Sequence, residues 1–248
     1  MRSVLIVLWL VALASPASAQ WYVTAFLGDA ATSPVRLEIR SASSDTSVAV
    51  DPVRLADESF ASPVYYGARL TKRLHRPSWL GLEIEFIHAK AIAEAAQLVR
   101  VHGRLDGVLV DADQRLDTIL PRFALSHGLN FLMGNMVFDW PITSLGSEPL
   151  VEIVGRLGAG PTIPHVESSF RGHDEDGYQL GGVAFAAAIG TQVRLSDHLS
   201  AVVDVKVTRT RQRVDVGPAD IDGTFTTRHV VAGVAWRATT ARHQPFIR

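Results

Sequence analysis

The sequence predicts an all-β protein: an eight-stranded antiparallel up-and-down barrel that crosses a membrane on its strands. Short turns are expected at its periplasmic end and longer loops at its extracellular end. Three observations predict this. The chain opens with an export signal, eight later segments alternate apolar and polar residues, and the connections between them alternate short and long. This is the pattern of a bacterial outer-membrane barrel.

The export signal is Met1-Arg2, an apolar stretch from Val4 to Ala14, and the small-residue site Ala17-Ser18-Ala19. A short basic region, an apolar run and an A-x-A site together form a secretory signal peptide, and the run is too short to favour a permanent transmembrane helix. The reading divides the chain into residues 1–19 as signal peptide, 20–240 as barrel and 241–248 as a C-terminal tail. No later run approaches the length of a spanning helix.

The first strand begins at Trp21, and Arg36 to Arg40 either extends it or forms a rung inside the loop that follows. A second strand covers Tyr65 to Leu74. In Trp79 to Ala91 (WLGLEIEFIHAKA), Leu80, Leu82, Ile84 and Phe86 share one face while Glu83 and Glu85 share the other, as a period of two requires. Phe123 to Trp140 is a longer strand, with Ser126, Gly128, Asn130 and Gly134 opposite Leu125, Leu129, Phe131 and Met133. Val151 to Ile163 sets Val151, Ile153, Gly155, Leu157 and Ala159 against Glu152, Val154, Arg156, Gly158 and Gly160. Tyr178 to Leu195, Leu199 to Thr210 and Thr226 to Trp236 complete the count.

Short connections carry turn residues: His75-Arg76-Pro77-Ser78, Pro141 to Pro149, and Ser196-Asp197-His198. Long polar loops are expected at about residues 31–61, 93–118, 165–177 and 211–224, and Ala91 to Leu98 (AIAEAAQL) fits a helical turn inside its loop. No internal repeat or domain linker is evident. In this topology Trp21, Trp79, Trp140 and Trp236 all fall at the periplasmic end, where an interfacial aromatic girdle belongs. The alternative reading is four core tryptophans of a soluble sandwich or lipocalin-like barrel.

Composition narrows the field. An exported chain without cysteine is not a disulfide framework and must be held by a core or a closed sheet. A formal net charge of −1 without a basic block makes nucleic acid an unexpected partner. The inward faces carry Arg69, Glu83, Glu85, Asn130, Glu152, Arg156, Asp204 and Lys206. Eight strands enclose only enough room for side chains, and unpaired charges there are costly. A satisfied ion-pair network plugging the lumen is therefore expected rather than an open pore.

A second set of polar residues gathers toward the extracellular rim: His88 and Lys90, Ser126 and His127, and His165 and Glu167 after Pro164. Histidines beside a carboxylate can hold a divalent metal or act as general acid and base; the alternative is a set of interfacial polar side chains. Ser126-His127 is not expected to be a catalytic pair, because adjacent strand residues point to opposite faces.

Four segments carry a resemblance: SPVYYGARL (Ser62–Leu70), GLEIEFIHAK (Gly81–Lys90), SHGLN (Ser126–Asn130) and GAGPTIPHVE (Gly158–Glu167). Together they resemble eight-stranded outer-membrane proteins of the lipid A oxidase-like group, from about Trp21 to Trp236. The resemblance implies oxygen-dependent oxidation of the proximal glucosamine of lipid A to an aminogluconate unit. Its motif positions here are Glu85, His88, Lys90, His127, Asn130, His165 and Glu167. Of these, Glu85, His88, Lys90, His127 and Asn130 are the candidate catalytic residues, and His88, His127, His165 and Glu167 the candidate ligands of a divalent metal. One departure is that such barrels usually end on a terminal aromatic. Here twelve residues follow Trp236 and the sequence ends Phe246-Ile247-Arg248, which predicts an extended last strand or an internal assembly signal.

Two function classes follow: a lipid A-modifying enzyme of the outer membrane, and a non-enzymatic barrel that anchors or displays its loops. Expected partners are outer-membrane lipids and lipopolysaccharide, and the barrel-assembly machinery during insertion. The barrel is expected to be a monomer.

Overall fold

The computed structural model describes residues 20–146 and 148–238; the predicted signal peptide and the whole predicted C-terminal tail lie outside the described residues. Eight strands form a closed ring: β1 (Gln20–Thr32), β5 (Tyr66–Arg73), β6 (Leu80–His88), β11 (Leu129–Leu145), β12 (Glu148–Phe170), β14 (Val183–Arg194), β15 (Leu199–Val216) and β16 (Ala219–Ala238). Each is antiparallel to the next along the chain, and β1 closes on β16 from Trp21 opposite Ala238 to Thr32 opposite Thr227. No edge is left open in the ring, the condition a sheet must meet to sit in lipid.

The outer wall is apolar. Val23, Leu27, Leu70, Ile84, Met136, Leu157, Ile189, Val205 and Val234 all face outward and are exposed, as the lipid-facing positions of a membrane-spanning barrel are. Trp79, Trp140 and Trp236 are each about half exposed, at 51%, 49% and 54%, near the end that carries the short turns. Phe138 lies between Trp79 and Trp140, with ring centroids 6.1 and 6.2 Å away.

Inside, the alternate residues build the plug. Arg69 Nε donates to Glu85 at 2.8 Å and Nη1 to Asp204 at 2.5 Å, while Arg156 Nη1 donates to Asp204 at 2.8 Å. Lys206 donates to Glu85. Thr71 and Asn135 satisfy Glu83 at 2.7 and 2.8 Å. Glu152 does not join this layer. It pairs with Arg73 at 2.9 Å in a second tier nearer the turns, where Arg73 also holds Asp139 at 3.0 Å. Asn130 is a second correction. It has the parity of the exposed Leu132 and Met136 rather than of the buried Phe131 and Met133, so it lies on the outward face.

The far end holds the largest departure from expectation. Where polar loops were expected, the chain forms β2 (Val35–Ser41), β3 (Thr46–Val53), β4 (Leu55–Ala56), β8 (Leu98–Leu105), β9 (Val108–Arg115) and β13 (His173–Tyr178), joined by β7 (Ala91–Ala93), where a helical turn was expected, and β10 (Arg122–Leu125), the detached start of the strand expected from Phe123. β2, β3, β8 and β9 continue the sheet outward from β16, and β4, β7, β10 and β13 make a small second sheet on the outer half of β12. Between them lies an apolar core that includes Leu37, Ile39, Val50, Val101, Leu120, Phe123, Phe170 and Phe225. The barrel mouth is thus roofed by a folded cap. Arg36 to Arg40 proves to be part of a separate strand seated on β16. Ala91 to Leu98 forms no helix, because Ala91 is fully buried opposite Leu125 in a β ladder.

Candidate functional site

The segment expected to be one strand from Phe123 to Trp140 is broken. β10 ends at Leu125, Ser126-His127 forms a turn, and β11 starts at Leu129. Gly128 makes the break possible. Its φ is +114°, and a Cβ there would lie 2.3 Å from Asn130 Oδ1 and 2.6 Å from His88 Nδ1. Only glycine tolerates both the conformation and the approach. The Gly128 carbonyl then accepts the His165 amide at 2.9 Å, which ties the turn to β12.

This break, the end of β6 and the outer half of β12 bring the rim residues together. His88 has the parity of Ile84 and Phe86, and His165 and Glu167 have that of Leu157 and Ile163. The cluster is therefore a continuation of the lipid-facing wall, above the apolar belt and on the side of the ring formed by β5, β6, β11 and β12. It does not open into the lumen.

Its hydrogen bonds define which nitrogens are free. Asn130 Nδ2 donates to the Ile163 carbonyl at 3.1 Å, so its Oδ1 faces His88 Nδ1 at 2.9 Å. An amide oxygen accepts, so His88 Nδ1 carries the proton and Nε2 carries the lone pair. That Nε2 is buried and has no partner. The His88 ring stacks on Tyr66, 4.9 Å between centroids. His165 is held in the opposite sense: Nε2 lies 3.3 Å from Asp176 Oδ1, and Nδ1 is buried without a partner. Tyr178 braces its ring edge-on at 4.6 Å.

Glu167 is the hub. Its Oε1 lies 2.8 Å from His127 Nδ1 and 3.9 Å from His165 Nδ1, it also accepts from Ser126, and its Oε2 accepts from Arg122. One ligating atom each from His127, His165 and Glu167 lie within 4.8 Å of one another. Two imidazoles and a carboxylate are the donor set of non-haem iron oxygenases and related divalent sites. A carboxylate on the far nitrogen of His165 is the usual support for a metal-binding histidine. The residues therefore fit a divalent cation.

Ser126 and His127 do meet, because they sit on a turn and not on a strand: Oγ to Nδ1 is 3.3 Å. Both Ser126 and Glu167 approach the same His127 nitrogen, however. A nucleophilic relay needs the hydroxyl and the carboxylate on opposite nitrogens, so this arrangement is not a serine triad.

Of the expected residues, His88, Asn130, His127, His165 and Glu167 converge. Lys90 is buried beside His88 and donates to the Ala61 carbonyl at 3.1 Å. Glu85 is separated from them, fully buried in the lumen with Arg69 and Lys206. Arg122, Asp176, Tyr66 and Tyr178 were not anticipated. They reach the cluster through cross-strand neighbours, a relation that spacing along the chain does not display.

No family model matches this chain, and no curated protein matches it. Solved structures of similar architecture include Neisserial surface protein A (10% identity, TM-score 0.41, 88% of this chain and 98% of that one). The outer membrane protease OmpT from Escherichia coli is similar at 7% identity and TM-score 0.43, covering 88% and 97% of the two chains. The outer membrane protein OprG from Pseudomonas aeruginosa is similar at 11% identity and TM-score 0.39, covering 90% and 95%.

Proposed function

We propose that the protein is an outer-membrane enzyme that oxidises the sugar headgroup of lipid A with dioxygen, using a divalent metal held by His127, His165 and Glu167. One observation carries the reading: the donor set lies on the outer wall of the barrel, above the apolar belt, and not in the sealed lumen. A site there is approached sideways, by a molecule already anchored in the outer leaflet. A soluble solute would be served by the lumen, and the lumen is filled with ion pairs.

The bound metal would supply an oxygen-binding, electron-accepting centre. The residues around it have separable tasks. Asp176 sets the His165 tautomer and leaves Nδ1 to ligate. Asn130 does the same for His88, holding its proton on Nδ1 and leaving Nε2 buried beside the cluster. Oxidation of an anomeric C–H and O–H to a lactone releases two electrons and two protons, which dioxygen accepts. Water then opens the lactone, and the net gain is one oxygen atom.

Mass spectrometry of lipid A from expressing cells tests this. The expected result is a species heavier by one oxygen that requires air and disappears in His127→Ala, His165→Ala and Glu167→Gln. An unchanged lipid A profile at good expression would overturn it. That outcome would favour the second reading, a non-enzymatic barrel, for which the folded cap and plugged lumen speak.

A further inference from the structure

On the wall that runs from β11 and β12 round to β16, the lipid-facing surface is not smooth. A groove of about 740 Å³ runs down the outside of the ring from β16 to β11. Its floor is low where Gly155 and Ala187 replace larger residues. Leu157, Ile189, Val205, Val207 and Trp140 form its walls, and Arg228 stands at its upper end. Across the ladder, Arg228 is level with Val207 and Ala187, and Trp140 is level with Val203 and Ala232. Four residues on β16 thus separate top from bottom, a drop of about 14 Å along the strand, with further length gained across four strand spacings. That accommodates an extended acyl chain.

The charges at the top end are unusual for this molecule. Arg211 and Arg213, farther out on the same face of β15, are paired with Asp222 and Asp220 at 2.8 and 2.7 Å. Arg209 and Arg228, at the edge of the apolar belt, are exposed and have no ion-pair partner among the described residues. The nearby carboxylate of Asp29 is turned back to accept the Ala30 amide at 3.0 Å. Arg209 lies beside the exposed Phe185 and one step above Val207. Guanidinium groups recognise phosphate oxygens bidentately and more strongly than ordinary neutral hydrogen bonds do.

We infer that this wall is a binding site for a phosphorylated outer-leaflet lipid, with its phosphate on Arg209 and Arg228 and one acyl chain in the groove. The inference rests on placement of the barrel in the outer membrane and not on the chemistry of the histidine cluster. The lipid held here is a resident whose phosphate, on β15 and β16, lies two and three strands round the ring from His165 and Glu167 on β12. It anchors the barrel at a fixed height.

Native mass spectrometry of the mature protein in detergent tests this, with bis-phosphorylated lipid A and its dephosphorylated counterpart as probes. The phosphorylated lipid should be retained, and Arg209→Ala/Arg228→Ala should weaken retention about tenfold or more, the scale of one charge-assisted hydrogen bond. Arg209→Lys/Arg228→Lys should restore part of it. Ala187→Phe, which fills the groove, should weaken both probes while heat-modifiable mobility confirms a folded barrel. His127→Ala should change none of these values, which separates this site from the reactive one. Equal retention of the two probes by the wild type, or retention unaffected by the double alanine variant, would overturn the inference.

Discussion

At the scale of single residues, the candidate site depends on a position that does no chemistry. Gly128 lets His88 and Asn130 pass within hydrogen-bonding distance of each other and lets the Ser126-His127 turn fold back toward Glu167. Gly128→Ala places a methyl group where the Asn130 oxygen sits and forces a side chain into a positive-φ conformation, a strain of about 1–3 kcal/mol. The barrel ladder does not pass through this residue, so the variant should keep heat-modifiable mobility. Loss of a supporting hydrogen bond behind a metal or base typically costs about 10–100-fold. Isothermal titration with a divalent cation and the yield of oxidised lipid A should both fall by that order. Retention of full activity would show that the His88–Asn130 contact is dispensable.

At the scale of elements, the barrel strands were legible because one face of each meets lipid and the other a narrow polar lumen. The period of two is strong when both environments are uniform. The cap strands carry the same period, with Val35, Leu37 and Ile39 buried and Arg36, Glu38 and Arg40 outside. Their outer faces meet water, so the segment reads as polar, as a loop does. The cluster was legible as residue types but not as a geometry. His88, His127 and His165 come from three chain segments whose meeting depends on register, and Asn130 lies outward because this part of the strand turns its apolar residues Leu129, Phe131 and Met133 inward, so polarity does not mark the lumen face there. The cap makes its own prediction. Phe225 is 1% exposed and packs against Phe123 at 6.4 Å between centroids. Phe225→Ala should destabilise the cap by about 3–5 kcal/mol. Hydrogen exchange should show faster exchange in β2, β3 and β10 while β1, β14 and the inner half of β15 stay protected. Uniform loss of protection would mean that cap and barrel are a single cooperative unit.

At the scale of the whole molecule, the polar groups are sorted by what surrounds them. Charges in the lumen are paired in tiers, arginines of the cap hairpin β15–β16 are paired with aspartates, and a set of ligating atoms collects on the outer wall. Such an arrangement makes the lumen a structural core. In that core Arg156 bridges Glu83 at 3.2 Å and Asp204 at 2.8 Å, and both acids are almost fully buried. Arg156→Ala leaves them without this partner in a space too narrow to hydrate freely, and removing one member of a buried pair costs about 3–5 kcal/mol. Urea unfolding in lipid vesicles should show that loss, and Arg156→Met, which fills the volume without the charge, should not recover it. Planar-bilayer recordings complete the test, since the intact network closes the lumen to ions. Wild-type protein should give no steady single-channel conductance. A stable conductance from it would mean that the lumen charges line a path, and the assignment of function to the outer wall would lose its main support.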